Sequence, residues 1–273
     1  MPQPSLHGTV TQSDHGEGRV KTVETSLLIL EYLKKKDGAT TNEIVEEFGY
    51  SKSTIHRHLT TLNSLEFLVK EKNTYYPSLK FLDFGQYTRK RKTGYEMARS
   101  KIKELANETN EHAQFLVEEH GRGIYLHRAV GSNAEQSDAS IGKWMEPSIG
   151  KWSYLNTTAA GKAVLAHLSP KKIDGILEKH GLPAVTDQTI SSREELFEEL
   201  ETIRERGYSF NHQENVVGLR AVGAPVIGPD DDAIGAFSVA APTHRMKGNW
   251  FEEELPELLL GVAKDIELEI IHS

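Results

Sequence analysis

The chain contains no cysteine in 273 residues, which excludes disulfides, thiolate nucleophiles and cysteine-held zinc and fits a reducing compartment. It also lacks any apolar run near the ~20 residues that cross a bilayer. The expectation is a cytoplasmic protein with no membrane partner, which any signal reaches as a soluble molecule. Residues 1–18 have neither a basic start nor an apolar core; rich in Ser, Thr, Gln, Gly and His, they read as a disordered arm and not a signal peptide. Catalytic signatures are missing as well. Gly161-Lys162 has neither the upstream glycine nor the following hydroxyl of a phosphate loop, and no G-x-S-x-G elbow occurs. The 12 histidines are scattered: His56 and His58 face different sides of one helix, and His112, His120 and His127 have no helical ligand spacing. No catalytic residue, metal or cofactor is expected.

What is present starts with residues 40–57, TTNEIVEEFGYSKSTIHR, which outline two short helices across a glycine turn. Thr40 can cap the first helix while Glu43 reaches back to the cap amide, and Gly49 supplies the turn. The second helix starts at Ser51. Ile55, Leu59 and Leu62 fall on one stripe of it, leaving Lys52, Ser53, His56, Arg57 and Thr60 on the other side. Arg can fork to guanine O6 and N7, while Lys and hydroxyl groups can hold phosphates. A polar side opposite an apolar stripe is also what any surface helix has, so this helix alone leaves both readings open. Its context favours DNA. Residues 23–36 place Val23, Leu27, Leu30 and Leu33 at near-helical spacing and end in three lysines, a preceding helix. Residues 67–72 read as a strand, Asn73-Thr74 as a turn and Tyr75-Tyr76 as the returning strand. Three helices and a hairpin make a winged helix-turn-helix. The candidate DNA-binding residues are Lys52, Ser53, Thr54, His56, Arg57 and Thr60, with Lys70 and Lys72 on the wing.

Charge divides the chain. Residues 19–98 carry 14 Lys and Arg against 10 Asp and Glu, whereas the whole chain is at −8. A basic front and an acidic back suggest that only the front meets nucleic acid. The length calls for a second domain. Arg89, Lys90, Arg91 and Lys92 lie between the two, either against flanking phosphates or as a solvated linker face. Residues 95–110 form an amphipathic helix through Met97, Ile102 and Leu105. Strands are expected at 113–119 and 123–130, helices at 157–167, 170–180 and 192–206, strands at 221–228 and 234–240, and a last helix at about 249–271. Ser169-Pro170, Gly181 with Pro183, and Ser191 with Glu194 mark helix ends. The back half is therefore an α+β domain. The expected boundaries are arm 1–18, winged helix-turn-helix 19–85, linker helix 86–110 and C-terminal domain 111–273.

At several ordered motifs the chain resembles the IclR family of transcriptional regulators. The front half does so in VKTVET at 20–25, SKSTIHRHL at 51–59 and FLDFG at 81–85. The back half does so in TAAGKA at 158–163, GY at 207–208, GLRAVGAPV at 218–226 and SVAAP at 238–242. The resemblance implies a GAF-like effector-binding domain with an antiparallel sheet behind the winged helix-turn-helix. It implies a homodimer or tetramer on palindromic double-stranded operator DNA, and a small-molecule effector of the organic or sugar acid class. It places the effector at Ala159, Ala160, Asn211, Leu219, Ala221, Ser238 and Ala240. Small residues at a helix start can leave backbone amides open to an anion, or serve only close packing. The family often has cysteine at 221, histidine at 156, and an acidic residue or hydroxyl at 211 and 240, so this chain offers fewer side-chain donors there.

A repeat, SIGKW at 140–144 and at 148–152, is either a lid or subunit contact, or a loop packed on its own domain. Three functional classes stand: a ligand-responsive DNA-binding regulator, favoured here, a winged helix used for protein interaction, and a small-molecule enzyme with a vestigial front domain.

Overall fold

The computed structural model describes residues 18–132 and 149–272. The expected arm, apart from Gly18, lies outside the described residues, as do the first SIGKW copy and Ser148 of the second. The chain divides into two compact units, Met1–Tyr87 and Thr88–Ser273.

In the first unit, α1 (Lys21–Lys36), β1 (Ala39–Thr40), α2 (Thr41–Phe48) and α3 (Lys52–Ser64) precede a hairpin of β2 (Leu68–Glu71) and β3 (Thr74–Pro77). Thr40 caps α2: its hydroxyl accepts the Glu43 amide while its own amide donates to the Glu43 carboxylate at 2.7 Å. Those bonds, led by the Thr40 amide, hold the Glu43 carboxyl below its ordinary value. Gly49 ends α2 with φ +66, a conformation that costs other L-residues energy. Ser51 caps α3 through the Thr54 amide. Ile55, Leu59 and Leu62 of α3 join Ile29, Leu33, Ile44, Leu68 and Tyr75 in one core. Within α1 the buried line is Thr25, Ile29 and Leu33, with Leu30 half-buried, whereas Val23 and Leu27 are exposed. The helix is thus turned from the face that Val23 and Leu27 suggest, with Ile29, one turn before Leu33, in the inner position. The wing turns at Lys72-Asn73, one residue early, since Thr74 already pairs with Glu71. β1 adds a third strand, in the order β1-β3-β2.

Residues 86–110 fall into two helices, α4 (Lys80–Lys90) and α5 (Thr93–Thr109), with Lys92 extended between them. The second unit is built on one antiparallel sheet of β4 (His112–Glu119), β5 (Arg122–Val130), β6 (Trp152–Ser153), β7 (Ser209–His212), β8 (Leu219–Ile227) and β9 (Ala233–Pro242), ordered β6-β5-β4-β9-β8-β7. β6 and β7 lie outside the strands that the sequence pattern predicts. The helices are α6 (Ala159–Ala166), α7 (Pro170–His180), α8 (Arg193–Arg206) and α9 (Leu255–Ile271); a π-helical turn, Trp250–Glu254, leads into α9. Ser169 caps α7 with Pro170 in its first turn. The α8 cap is Ser192, bonded to the Glu195 amide, and not Ser191 with Glu194, because the helix starts one residue later than the pattern suggests.

Strand alternation gives each sheet face its own partner. Val222, Ala224, Phe237 and Val239 pack with α5 and α9, while Leu116, Tyr125 and Ala236 pack with α6, α7 and α8. Gly223 lets α6 approach the sheet: a Cβ there would lie 2.7 Å from the Ala159 carbonyl carbon. Among the described residues no helix is long and apolar enough to cross a membrane.

Candidate functional site

Along α3, Lys52, Ser53, His56, Arg57 and Thr60 are exposed opposite the buried Ile55, Leu59 and Leu62. Not all of their polar atoms are idle. Ser53 and Thr54 share the Ser51 hydroxyl at 2.9 Å each, and Thr54 is half-buried. The Thr60 hydroxyl is 3.3 Å from His56 Nδ1. Lys52 and Arg57 make no ion pair among the described residues, so their charges face outward. His58 points the other way: its Nδ1 meets the Ser26 hydroxyl at 2.8 Å, tying α3 to α1, and burial followed by Arg57 lowers its pKa. On the wing, the ammonium of the exposed Lys70 lies 5.1 Å from the Tyr75 ring centroid, and Lys72 occupies the tip at φ +55.

Two of the four linker cations turn inward and away from the phosphate role. Arg89 Nη2 donates to His127 Nδ1 at 2.9 Å, and Arg91 sits 3.6 Å from the Glu119 carboxylate. His127 Nε2 in turn donates to the Tyr95 carbonyl at 2.6 Å, so this buried histidine is neutral, its pKa lowered chiefly by burial.

The residues expected around the effector do converge on the sheet face that meets α6. Asn211, Ala221 and Ala240 stand in register on β7, β8 and β9, and the next row on the same face is Ser209, Gly223 and Ser238. The Ser209 hydroxyl donates to the Ala159 carbonyl at 2.6 Å, anchoring the start of α6 over that row. Leu219 and Ala160 are buried; Ala221 and Ala240 are half-buried. Two donors differ from expectation. The Gly161 amide is taken by the Thr158 hydroxyl at 3.0 Å, which leaves the Ala159 and Ala160 amides of the first turn without a capping partner among the described residues. The Asn211 amide is committed to the Thr157 carbonyl at 2.6 Å, and its oxygen accepts the Glu214 amide. The Ser238 hydroxyl has no hydrogen-bond partner among the described residues.

The register extends to a strand that sequence reasoning left out of the site. His112 pairs with Ala240 and Gln114 with Ser238. Both are buried polar residues. Arg128 Nη2 donates to His112 Nδ1 at 2.7 Å, and Arg245 pairs with Glu111 at 2.8 Å. Burial, then Arg128 and Arg245, bring the His112 pKa down to about 4. The strand expected from the sequence starts at Ala113, one residue too late to include His112. The alternation of polar His112 and Gln114 with apolar Ala113 and Phe115 was the available signal. Asn156 is buried with its amide on the Ile190 carbonyl. Beneath α6, the Lys162 ammonium reaches Glu214 at 2.8 Å and Glu199 at 3.3 Å. Elsewhere a cavity of about 570 Å³ is lined by Arg91, Lys92, Glu118, Glu119, Lys172 and Lys179 among others, away from these small residues. Its charges are largely paired, Lys172 with Glu118 at 2.8 Å and Arg91 with Glu119. Trp152, in the described part of the second SIGKW copy, packs on its own domain, with the Arg122 guanidinium 3.8 Å from its ring centroid. Among the described residues no three His, Asp or Glu side chains gather as a metal set.

Two family profiles match: residues 91–268 that of the bacterial transcriptional regulator IclR C-terminal, and residues 22–72 that of the IclR helix-turn-helix domain. The chain belongs to the IclR family of transcriptional regulators. It is thus a DNA-binding, ligand-responsive regulator and not an enzyme. IclR-family relatives include the "Probable HTH-type transcriptional regulator ArcR" of Halobacterium salinarum, 29% identical over 94% of this chain and 97% of that one. The transcriptional repressor IclR of Escherichia coli is 26% identical over 92% of this chain and 90% of its own. The crystal structure of Thermotoga maritima IclR superposes with a TM-score of 0.75 at 25% identity, covering 92% of this chain and 99% of that one. The shared IclR architecture is the helix-turn-helix unit with an antiparallel-sheet effector domain.

Proposed function

We propose that the chain represses catabolic genes from a palindromic operator, as a homodimer or a dimer of dimers in the cytoplasm, and that a compact organic or sugar acid changes its grip on DNA. The observation carrying this reading is the outward row on α3 in which Lys52 and Arg57 have no ion partner among the described residues. That is the state a recognition helix needs before it meets guanine edges and phosphates. In this reading Lys52, Ser53, Thr54, His56, Arg57 and Thr60 enter the major groove while Lys70 and Lys72 hold flanking phosphates. Repression is supported by the E. coli relative's description as a transcriptional repressor. Two copies of one helix require two inverted half-sites at a spacing fixed by the protein.

The effector lies against Ala159, Ala160, Leu219, Ala221, Ser238 and Ala240, with Asn211 shaping the floor. It acts by population shift: binding one arrangement of the paired recognition helices better than another changes operator affinity by the same differential free energy. Footprinting the full chain on its own upstream DNA tests the reading. Protection of two inverted half-sites is expected; one isolated half-site covered by a single chain would overturn the dimeric arrangement.

A further inference from the structure

We infer that His112 is a ligand-binding residue of the effector site, its Nε2–H donating to an oxygen of a small carboxylate; the inference rests on the pocket proposed above. The proton's position follows from the partner. Arg128 has only donors, so His112 Nδ1 must accept, and the neutral ring then carries its hydrogen on Nε2. That ring is 3% exposed, and Nε2 is buried with no hydrogen-bond partner among the described residues. A buried N–H without an acceptor is destabilising, so it stays in a fold where a bound group, water or ligand, completes it.

The register shows where that donor stands. His112 is directly opposite Ala240, Ala240 opposite Ala221, and Ala221 opposite Asn211. Residues directly opposite share a face. The row therefore runs from an imidazole donor across two methyl side chains, both half-buried, to the ground beneath the α6 start. Neighbouring strands are about 4.8 Å apart, so the two alanines leave a gap a few heavy atoms wide. At its far end are the buried, uncapped amides of Ala159 and Ala160. In the adjacent row the Gln114 and Ser238 side chains, also in register, have no hydrogen-bond partner among the described residues. Donors at both ends suit an oxyanion. The charged groups facing His112 agree: Arg128, and Arg245 with its carboxylate partner Glu111. A neutral donor flanked by cations favours a carboxylate over a neutral oxygen of the same size.

The test uses the full chain labelled with 15N-histidine, and acetate, lactate and the neutral lactamide as probes. The His112 signal, identified by its loss in His112→Gln, is expected as the Nε2–H tautomer, shifting on titration with lactate or acetate and not with lactamide. Calorimetry on the same probes is expected to give an affinity about tenfold weaker or more in His112→Leu. In His112→Gln, whose amide can reach the place of Nε2, it stays within about threefold. Thermal melts establish that each variant is folded. If His112→Leu binds lactate like the wild type while Ser238→Ala does not, the inference falls and the pocket stands. If neither variant changes binding, both fall. A wild-type chain that answers neither acid at about 50 mM, or answers lactamide equally, also overturns the inference; an effector of other chemistry weakened by Ser238→Ala would still leave the pocket in place.

Discussion

Replacing Lys162 by Met tests whether the ion pair under α6 supports the effector unit. The ammonium is 2% exposed and meets Glu214, itself 5% exposed, at 2.8 Å. Its second partner, Glu199, keeps Arg206 at 3.1 Å when the lysine is gone, so the damage falls on Glu214. Burial already pushes the Glu214 carboxyl up against the pull of Lys162, and among the described residues the only other donor to it is the His212 amide at 3.1 Å. Stripping one partner from a buried pair costs about 3–5 kcal/mol. Protonation sets a ceiling: taking up a proton at an ordinary glutamate costs about 3.5 kcal/mol at pH 7 and about 1 kcal/mol at pH 5. Lys162→Met is therefore expected to lose about 3 kcal/mol at pH 7 and about 1 kcal/mol at pH 5. The double variant Lys162→Met, Glu214→Gln, which keeps an acceptor for the His212 amide, should recover most of the loss. All three tryptophans, at 144, 152 and 250, lie in the second unit, so urea unfolding followed by their fluorescence reports that unit alone. An equal loss at both pH values, or a double variant no better than the single one, would refute the reasoning.

Arg57→Ala should weaken operator binding by about 1–3 kcal/mol and relax preference at one base position if the guanidinium forks onto guanine. An equal loss on all sequences in a binding-site selection would make it a phosphate contact instead. Ser238→Ala should remove most of the effector-induced rise in melting temperature, and Ser238→Val, whose β-branched side chain a strand tolerates, should do the same; a full rise in both would place the pocket elsewhere. For His112, the folded pKa of about 4 lies below the unfolded value near 6.5. The neutral ring thus contributes stability that is complete above pH 6.5 and lost as the pH falls towards 4, by an upper bound of about 3 kcal/mol. His112→Gln should flatten the acid limb of the urea-stability profile relative to wild type, and superimposable limbs would contradict that sign.

Legibility in the sequence followed the range of the interactions. Thr40, Glu43, Gly49 and Ser51 are chemistry within a few residues, and the caps and turn they specify are present. The α1 face was misjudged because Val23 and Leu27 fit the helical period as well as Ile29 does, and period alone does not choose which apolar residue is covered. β7, Ser209–His212, is four residues long with Phe210 its one apolar side chain, too short a pattern to announce a strand, and it forms by pairing with β8. The small residues of the proposed effector site were reached through family resemblance. His112 was not, since its neighbour Ala240 is 128 residues away in sequence and only the β4 to β9 register joins them. Likewise, Arg89 and Arg91 look like free linker cations until the fold brings His127 and Glu119 alongside.

The central claim, that one ligand couples to one operator, is tested most directly by closing the thermodynamic cycle. The acid that raises the melting temperature most is chosen first. Operator affinity is then measured with and without it by fluorescence anisotropy, and acid affinity with and without operator by calorimetry, all at one salt concentration. Both ratios are expected to be equal and different from one, because coupling is reciprocal. An acid that binds the free and the DNA-bound chain equally well, leaving operator affinity unchanged, would contradict it.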